Sequence, residues 1–251
     1  MTSCASSFDD LLGADSLAPN AIQDLVRRME LLPQLLRRQQ EEQITSLVRI
    51  EPDWLSQQRD VFCGKNSLDD TLKQHRWSQQ DLDLHLARPE ALRRFAEQRF
   101  GPGLEEAFLG AQGNHDEVIY SVLRVSDYGL AQELWIRLEE AESTFAELAS
   151  IYGEGPEAAR KGLMGPLPLG GIVPQQLAKL LRTLQPGEVH SPTRLGEWLV
   201  LLRLEQLTPA RFDANMRTFL LNQQIDTLLE SRVQKILEGE PLDSLEYDPP
   251  Q

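Results

Sequence analysis

Apolar positions recur at helical spacing through most of the chain, and at strand-like spacing only between residues 118 and 204. In the first segment, Ile22, Leu25, Val26 and Met29 form one stripe, and Leu35, Leu36, Ile44, Leu47 and Val48 continue it after Pro33. The pattern predicts a long helical stretch over Ala21–Arg49, broken at Pro33 and ended at Pro52. From Asp53 to Arg99 three shorter amphipathic sets follow: Trp54, Leu55, Val61 and Phe62; then Leu68, Leu72 and Trp77; then Leu82, Leu86, Leu92 and Phe95. Ser67 and Ser78 stand where N-caps are expected. Pro102-Gly103 punctuates, Leu104–Leu109 reads as a short helix, and Gly110–Asp116 as a linker.

The period then changes. Val118–Val125 predicts a strand, and Asp127 opens a helix carrying Leu130, Leu134 and Leu138 on one face. Thr144 and Glu147 have capping-box spacing, ahead of a helix with Phe145, Leu148, Ala149 and Tyr152 on one side. A Gly/Pro-rich stretch, Gly153–Gly171, is expected to be loop. Pro174 starts a helix striped by Leu177, Leu180, Leu181 and Leu184, and Pro186-Gly187 stops it. Val189–Pro192 and Trp198–Leu204 predict strands, the second so apolar that it belongs at the centre of a sheet covered on both faces. After Pro209, a long helix over Ala210–Leu237 carries Phe212, Met216, Phe219, Leu220, Leu228, Leu229, Val233 and Ile236. Residues 1–20, small and polar, and the acidic tail 239–251 are expected to be disordered.

Composition narrows the function classes. The net charge of −14 opposes nucleic acid or an anionic membrane surface as the main partner, and it serves solubility equally well. Cys4 and Cys63 have neither metal-like nor CxxC spacing, so neither a disulfide framework nor a metal site is expected, and no cofactor is implied. Met1–Leu17 has no basic or apolar leader region and carries Asp9, Asp10 and Asp15. No transmembrane run is visible, and a cytoplasmic location is expected.

The letters between residues 145 and 200 form a further pattern: Phe145-Ala146-Glu147-Leu148-Ala149, Tyr152, Gly162-Leu163-Met164-Gly165, Leu177 to Pro186-Gly187-Glu188-Val189, Ser191-Pro192, and Gly196-Glu197-Trp198-Leu199-Val200. This order and spacing resembles the parvulin peptidyl-prolyl isomerase domain. The resemblance implies an α+β fold of the βα3βα-β2 type over 117–207 and a proline-containing polypeptide or client protein as partner. Parvulins lower the barrier to X-Pro rotation, roughly 18–20 kcal/mol for an ordinary amide, without a covalent step. An apolar pocket grips the proline, and a polar floor of two histidines and an Asp or Cys favours the twisted amide.

All three floor positions differ here. The first-strand histidine of the family falls on Val122, the last-strand histidine on Trp198, and the Asp on Gly155. The apolar grip is kept in aliphatic form, with Met164 at the loop leucine, Ile172 or Val173 at the pocket methionine, and Leu177 at the pocket phenylalanine. The peptide-binding set is therefore Met164, Ile172, Leu177, Trp198 and Val122, with no catalytic residue assigned. Trp198 reads either as a core aromatic or as an indole facing the proline groove. Arg160 and Lys161 read as a solvated loop; in some parvulins basic residues there choose a negatively charged residue before the proline. None of His75, His85, His115 and His190 falls on a catalytic position, although His190 lies close to the groove in sequence.

The apolar stripes at both ends of the chain need burial, and packing the C-terminal helix (209–238) on the N-terminal helices (21–112) supplies it. That arrangement is similar to the SurA/PrsA type of foldase chaperone. The resulting expectation is a parvulin-like protein that binds proline-containing segments with weak or lost isomerase activity. The alternatives are an active isomerase foldase, and a helical scaffold whose parvulin part is purely structural.

Overall fold

The computed structural model describes residues 19–248. They divide into two units: the sheet-containing stretch Glu105–Met216, and a helical unit assembled from the chain on either side of it.

The helical unit is built from α1 (Pro19–Arg28), α2 (Leu32–Leu47), α3 (Pro52–Cys63), α4 (Leu68–His75), α5 (Gln79–Phe100) and most of the last helix, α10 (Ala214–Glu238). Ser67 caps α4 and Ser78 forms a capping box with Asp81 at the start of α5, as their spacing predicts. Ile44, Leu82, Phe95 and Leu229 are fully buried. Asp226 of α10 pairs with Arg37 of α2, and Arg232 Nε donates to Gln40 Oε1 at 2.7 Å. Arg232 also donates to the Asp243 carbonyl at 2.7 Å.

The set Trp54, Leu55, Val61, Phe62 does not form a buried stripe: Val61 is 76% exposed. Phe62 instead joins His75, Trp77 and His85 in a surface ring cluster, with His75 stacked on Trp77 at 4.7 Å. Of residues 1–20, expected to be disordered, 1–18 lie outside the described residues, while Pro19 and Asn20 already belong to α1. Residues 240–248 have no regular structure, yet they are tethered. Tyr247 stacks on Phe95, and the Asp248 carbonyl accepts from Gln98.

The sheet unit opens with α6 (Leu104–His115), which runs through the stretch expected as a linker. Its two interior glycines do not break it, because Phe108 stacks with His115 and Gln112 donates to the Ala210 carbonyl at 2.7 Å. Then come β1 (Glu117–Val125), α7 (Tyr128–Glu139), α8 (Phe145–Tyr152), a 3₁₀ turn (Pro156–Arg160), β2 (Leu163–Pro168), a second 3₁₀ turn (Leu169–Gly171), α9 (Gln175–Thr183), β3 (Val189–Leu195) and β4 (Trp198–Thr208). Asp127 caps α7, and Thr144 with Glu147 forms the capping box of α8. Part of the Gly153–Gly171 stretch is thus strand, not loop. Its prolines are tolerated because β2 is an edge strand. Residues 209–213 are not helical: Asp213 Oδ1 accepts from the Met216 amide at 2.8 Å and starts α10 later than Pro209 suggests.

The sheet is antiparallel, in the order β2-β1-β4-β3. β4 sits inside it, as its unbroken apolar run predicts, because both of its faces are covered. Leu199 and Leu201 pack with Leu123 and Val125 under α7 and α8. Val200, Leu202 and Leu204 pack with Val118, Tyr120 and Val122 under α9. Among the described residues, no helix is long and apolar enough to cross a membrane.

Candidate functional site

The α9 face of the sheet holds the candidate site. Strand alternation sends Tyr120, Val122 and Arg124 of β1 to this face, and pairing sets Val122 opposite Leu202 and Arg124 opposite Val200. Leu195 of β3 lies opposite Trp198 of β4, across the two-residue turn Gly196-Glu197. Gly196 takes φ +66° at the first turn position, where a residue without Cβ is favoured. Above the sheet, α9 begins after Pro174 and lays Leu177, Ala178 and Leu181 over the strands.

A concavity of about 150 Å3 remains between them, lined by Val122, Arg124, Pro174, Leu177, Leu195, Trp198 and Val200. Of the five positions named from sequence, Val122, Leu177 and Trp198 line it. Ile172, 3% exposed, and the half-buried Met164 belong to the same apolar cluster but do not line the concavity. Trp198 is half-buried, which leaves part of its indole on the wall of the opening. Val173, the alternative to Ile172, is 84% exposed and takes no part in the cluster.

His190 stands opposite Leu202 on β3, but its Nδ1 donates to the Ser191 carbonyl at 2.6 Å and it does not line the concavity. Arg160 and Lys161 are exposed at the end of the 3₁₀ turn and do not line it either. Ser121 faces the other side of the sheet and bonds Glu205.

The loop from α8 to β2 is fastened along β1. The Glu154 amide donates to the Arg124 carbonyl at 3.0 Å, and the Val122 amide to the Gly162 carbonyl at 2.8 Å. Gly155 is ordinary in backbone, at φ −89°, yet it has no room for a side chain. A Cβ there would lie 2.6 Å from Glu157 Cδ and nearer still to both carboxylate oxygens. The Glu157 carboxylate thus fills the space beside the position that carries Asp in parvulins. Its side chain is 1% exposed, and neither oxygen has a hydrogen-bond partner among the described residues. Its one charge contact is Arg124 Nε, 3.2 Å from Oε1; the approach is an ion pair without hydrogen-bond alignment. Burial pushes the neighbouring Tyr120 phenol above its ordinary value, with Arg124 pulling it down and Glu157 pushing it up.

Arg124 and Glu157 were not singled out from sequence. Arg124 carries a usable signal: two residues from Val122 on a strand, it must share that face. Glu157 carries none, since its place depends on the 3₁₀ turn after Gly155.

Residues 125–206 match the family model described as Rotamase, PPIC-type PPIase domain. No curated protein matches the chain. Among solved structures, the PrsA peptidylprolyl isomerase of Bacillus cereus is 15% identical, covering 92% of this chain and 90% of its own, with a TM-score of 0.48. PrsA of Bacillus anthracis is 13% identical over 84% of this chain and 100% of its own, with a TM-score of 0.45. A SurA-like chaperone of Campylobacter jejuni is 13% identical over 95% of this chain and 93% of its own, with a TM-score of 0.36. The matched segment spans α7 to β4 and, with β1, encloses the concavity, so it is this part of the chain that is similar to PPIC-type, or parvulin, peptidyl-prolyl isomerase domains.

Proposed function

We propose that the concavity takes the ring of a proline in a client polypeptide, and that the domain binds such segments while turning them over weakly or not at all. The observation that carries this is the lining: six apolar residues around a ring-sized space, with none of the family's three polar groups at Val122, Gly155 or Trp198. The indole of Trp198 and the aliphatic Leu177 are suited to the apolar ring, as aromatic-lined grooves suit prolines elsewhere.

Magnitudes favour binding over turnover. Each ~1.4 kcal/mol removed from a barrier is tenfold in rate. Loss of one well-aimed donor costs on the order of 2.7–4 kcal/mol. Val122 donates nothing and Gly155 has no side chain. Trp198 offers one N–H at a different place.

The test is exchange of an X-Pro peptide followed by NMR with and without the protein, which reads binding and turnover together. Saturable binding with exchange far below that of an ordinary parvulin is expected. Leu177→Asp should abolish binding, because it sets a charge among apolar walls. Turnover as fast as an ordinary parvulin would move the protein to the active foldases.

A further inference from the structure

We propose that Arg124, held by Glu157, is the polar group of this pocket and donates to the carbonyl oxygen of the residue preceding the bound proline. The inference rests on the reading of the concavity as a proline pocket.

Arg124 is the one charged residue lining the concavity, and its side chain is 34% exposed. Its Nε faces Glu157, while its guanidinium has no other hydrogen-bond or ion-pair partner among the described residues. The two terminal nitrogens are therefore open to a ligand. The buried carboxylate fixes where they stand, because parting a charge that is 1% exposed from its counter-ion is strongly unfavourable.

The pair also decides the class of ligand atom. Arg124 and Glu157 together are neutral, so an incoming anion would meet the nearby carboxylate as well as the guanidinium. A neutral carbonyl oxygen gains the hydrogen bond without that repulsion. In an X-Pro segment with its ring in the concavity, the nearest such acceptor belongs to the bond that rotates. The acid expected at Gly155 is thus displaced by two residues, and its work is done through a guanidinium.

The full chain is titrated by NMR with two blocked peptides, one centred on Ala-Pro and one on Glu-Pro. The wild type should bind both within about threefold, and Arg124→Met should weaken both on the order of tenfold, as loss of a charge-assisted hydrogen bond does. Arg124→Lys should recover part of that loss. Glu157→Gln frees the guanidinium charge and should shift preference severalfold toward Glu-Pro, a change that a merely structural Glu157 would not produce. Glu157→Ala should weaken Ala-Pro binding, and Gly155→Asp added to it should restore binding by returning a carboxylate to the vacated space.

Unchanged affinity in Arg124→Met, with Leu177→Asp still abolishing binding, overturns this inference and leaves the pocket reading standing. Unchanged binding in Leu177→Asp overturns the pocket reading itself. A wild-type preference for Glu-Pro above tenfold makes Arg124 an anion site and overturns the neutral pair. Should Glu157 variants fail to fold by circular dichroism, the half-exposed Arg124 variants still decide.

Discussion

Gly162 fixes the loop beneath the pocket to the sheet. Its φ is +77°, and a Cβ there would lie 2.7 Å from the Val122 carbonyl oxygen and 3.0 Å from Ala149 Cβ. Gly162→Ala combines the left-handed penalty, about 1–2 kcal/mol, with displacement of β1. We expect a loss of roughly 2–3 kcal/mol in thermal unfolding and weaker peptide binding, because Val122 moves with the strand. A loss within about 0.5 kcal/mol, the range of neutral surface changes, would show that the loop yields freely. The complementary experiment concerns the pocket floor. Val122→His with Trp198→His puts the family's residue types back on the two strands, and turnover should rise above wild type in the NMR exchange assay. At this scale the sequence revealed the residues whose places follow from strand alternation and family spacing: Val122, Leu177 and Trp198. It did not reveal Glu157, whose burial depends on a missing Cβ two residues away and a turn that no periodicity marks.

Elements were legible where their signals are local. The caps at Ser67, Ser78, Asp127 and Thr144 satisfy backbone amides within three residues, so sequence alone locates them. β2 was not legible, because an edge strand holding Pro166 and Pro168 is specified by its partner β1 and not by its own letters. α5 carries the single set Leu82, Leu86, Leu92 and Phe95 read from the sequence, and it runs unbroken through Pro89. Directly after that proline, hydrogen bonds from Arg93 and then Arg94 hold the Glu90 carboxyl down at about 2, against burial. A carboxylate depressed in the folded state contributes stability above its unfolded pKa, near 4.3, and loses it as pH falls toward the folded value. Glu90→Gln should therefore lower the melting temperature at pH 7. The wild-type and variant curves should converge between about pH 4.3 and 2. Parallel curves across that window would mean that the Arg93 and Arg94 contacts do not stabilise the fold.

The mixed architecture was legible because helical and strand periods segregate along the chain, strands among the described residues appearing only from residue 117 onward. What the letters do not state is how strongly the helical unit depends on the far end of the chain. Residues 217–251 bring it Leu220, Leu221, Ile225, Leu229 and Val233, all buried, with Arg232 bonded to Gln40 and Tyr247 stacked on Phe95. Burial of an aliphatic side chain is worth about 1.5–3 kcal/mol, so these five contribute roughly 8–15 kcal/mol. That equals the whole stability of an ordinary domain, about 5–15 kcal/mol. Stopping the chain after Met216 should accordingly unfold Leu32–Phe100, not merely trim it. The sheet unit ends at Met216 and keeps its own two clusters on either side of β1 and β4. The shortened chain should therefore lose far more helical circular dichroism than α10 accounts for. Slow amide exchange in β1 and β4 should persist, and so should binding of an X-Pro peptide. A shortened chain that keeps the helical signal of α2 and α5 would show that those helices are stable without their C-terminal partner.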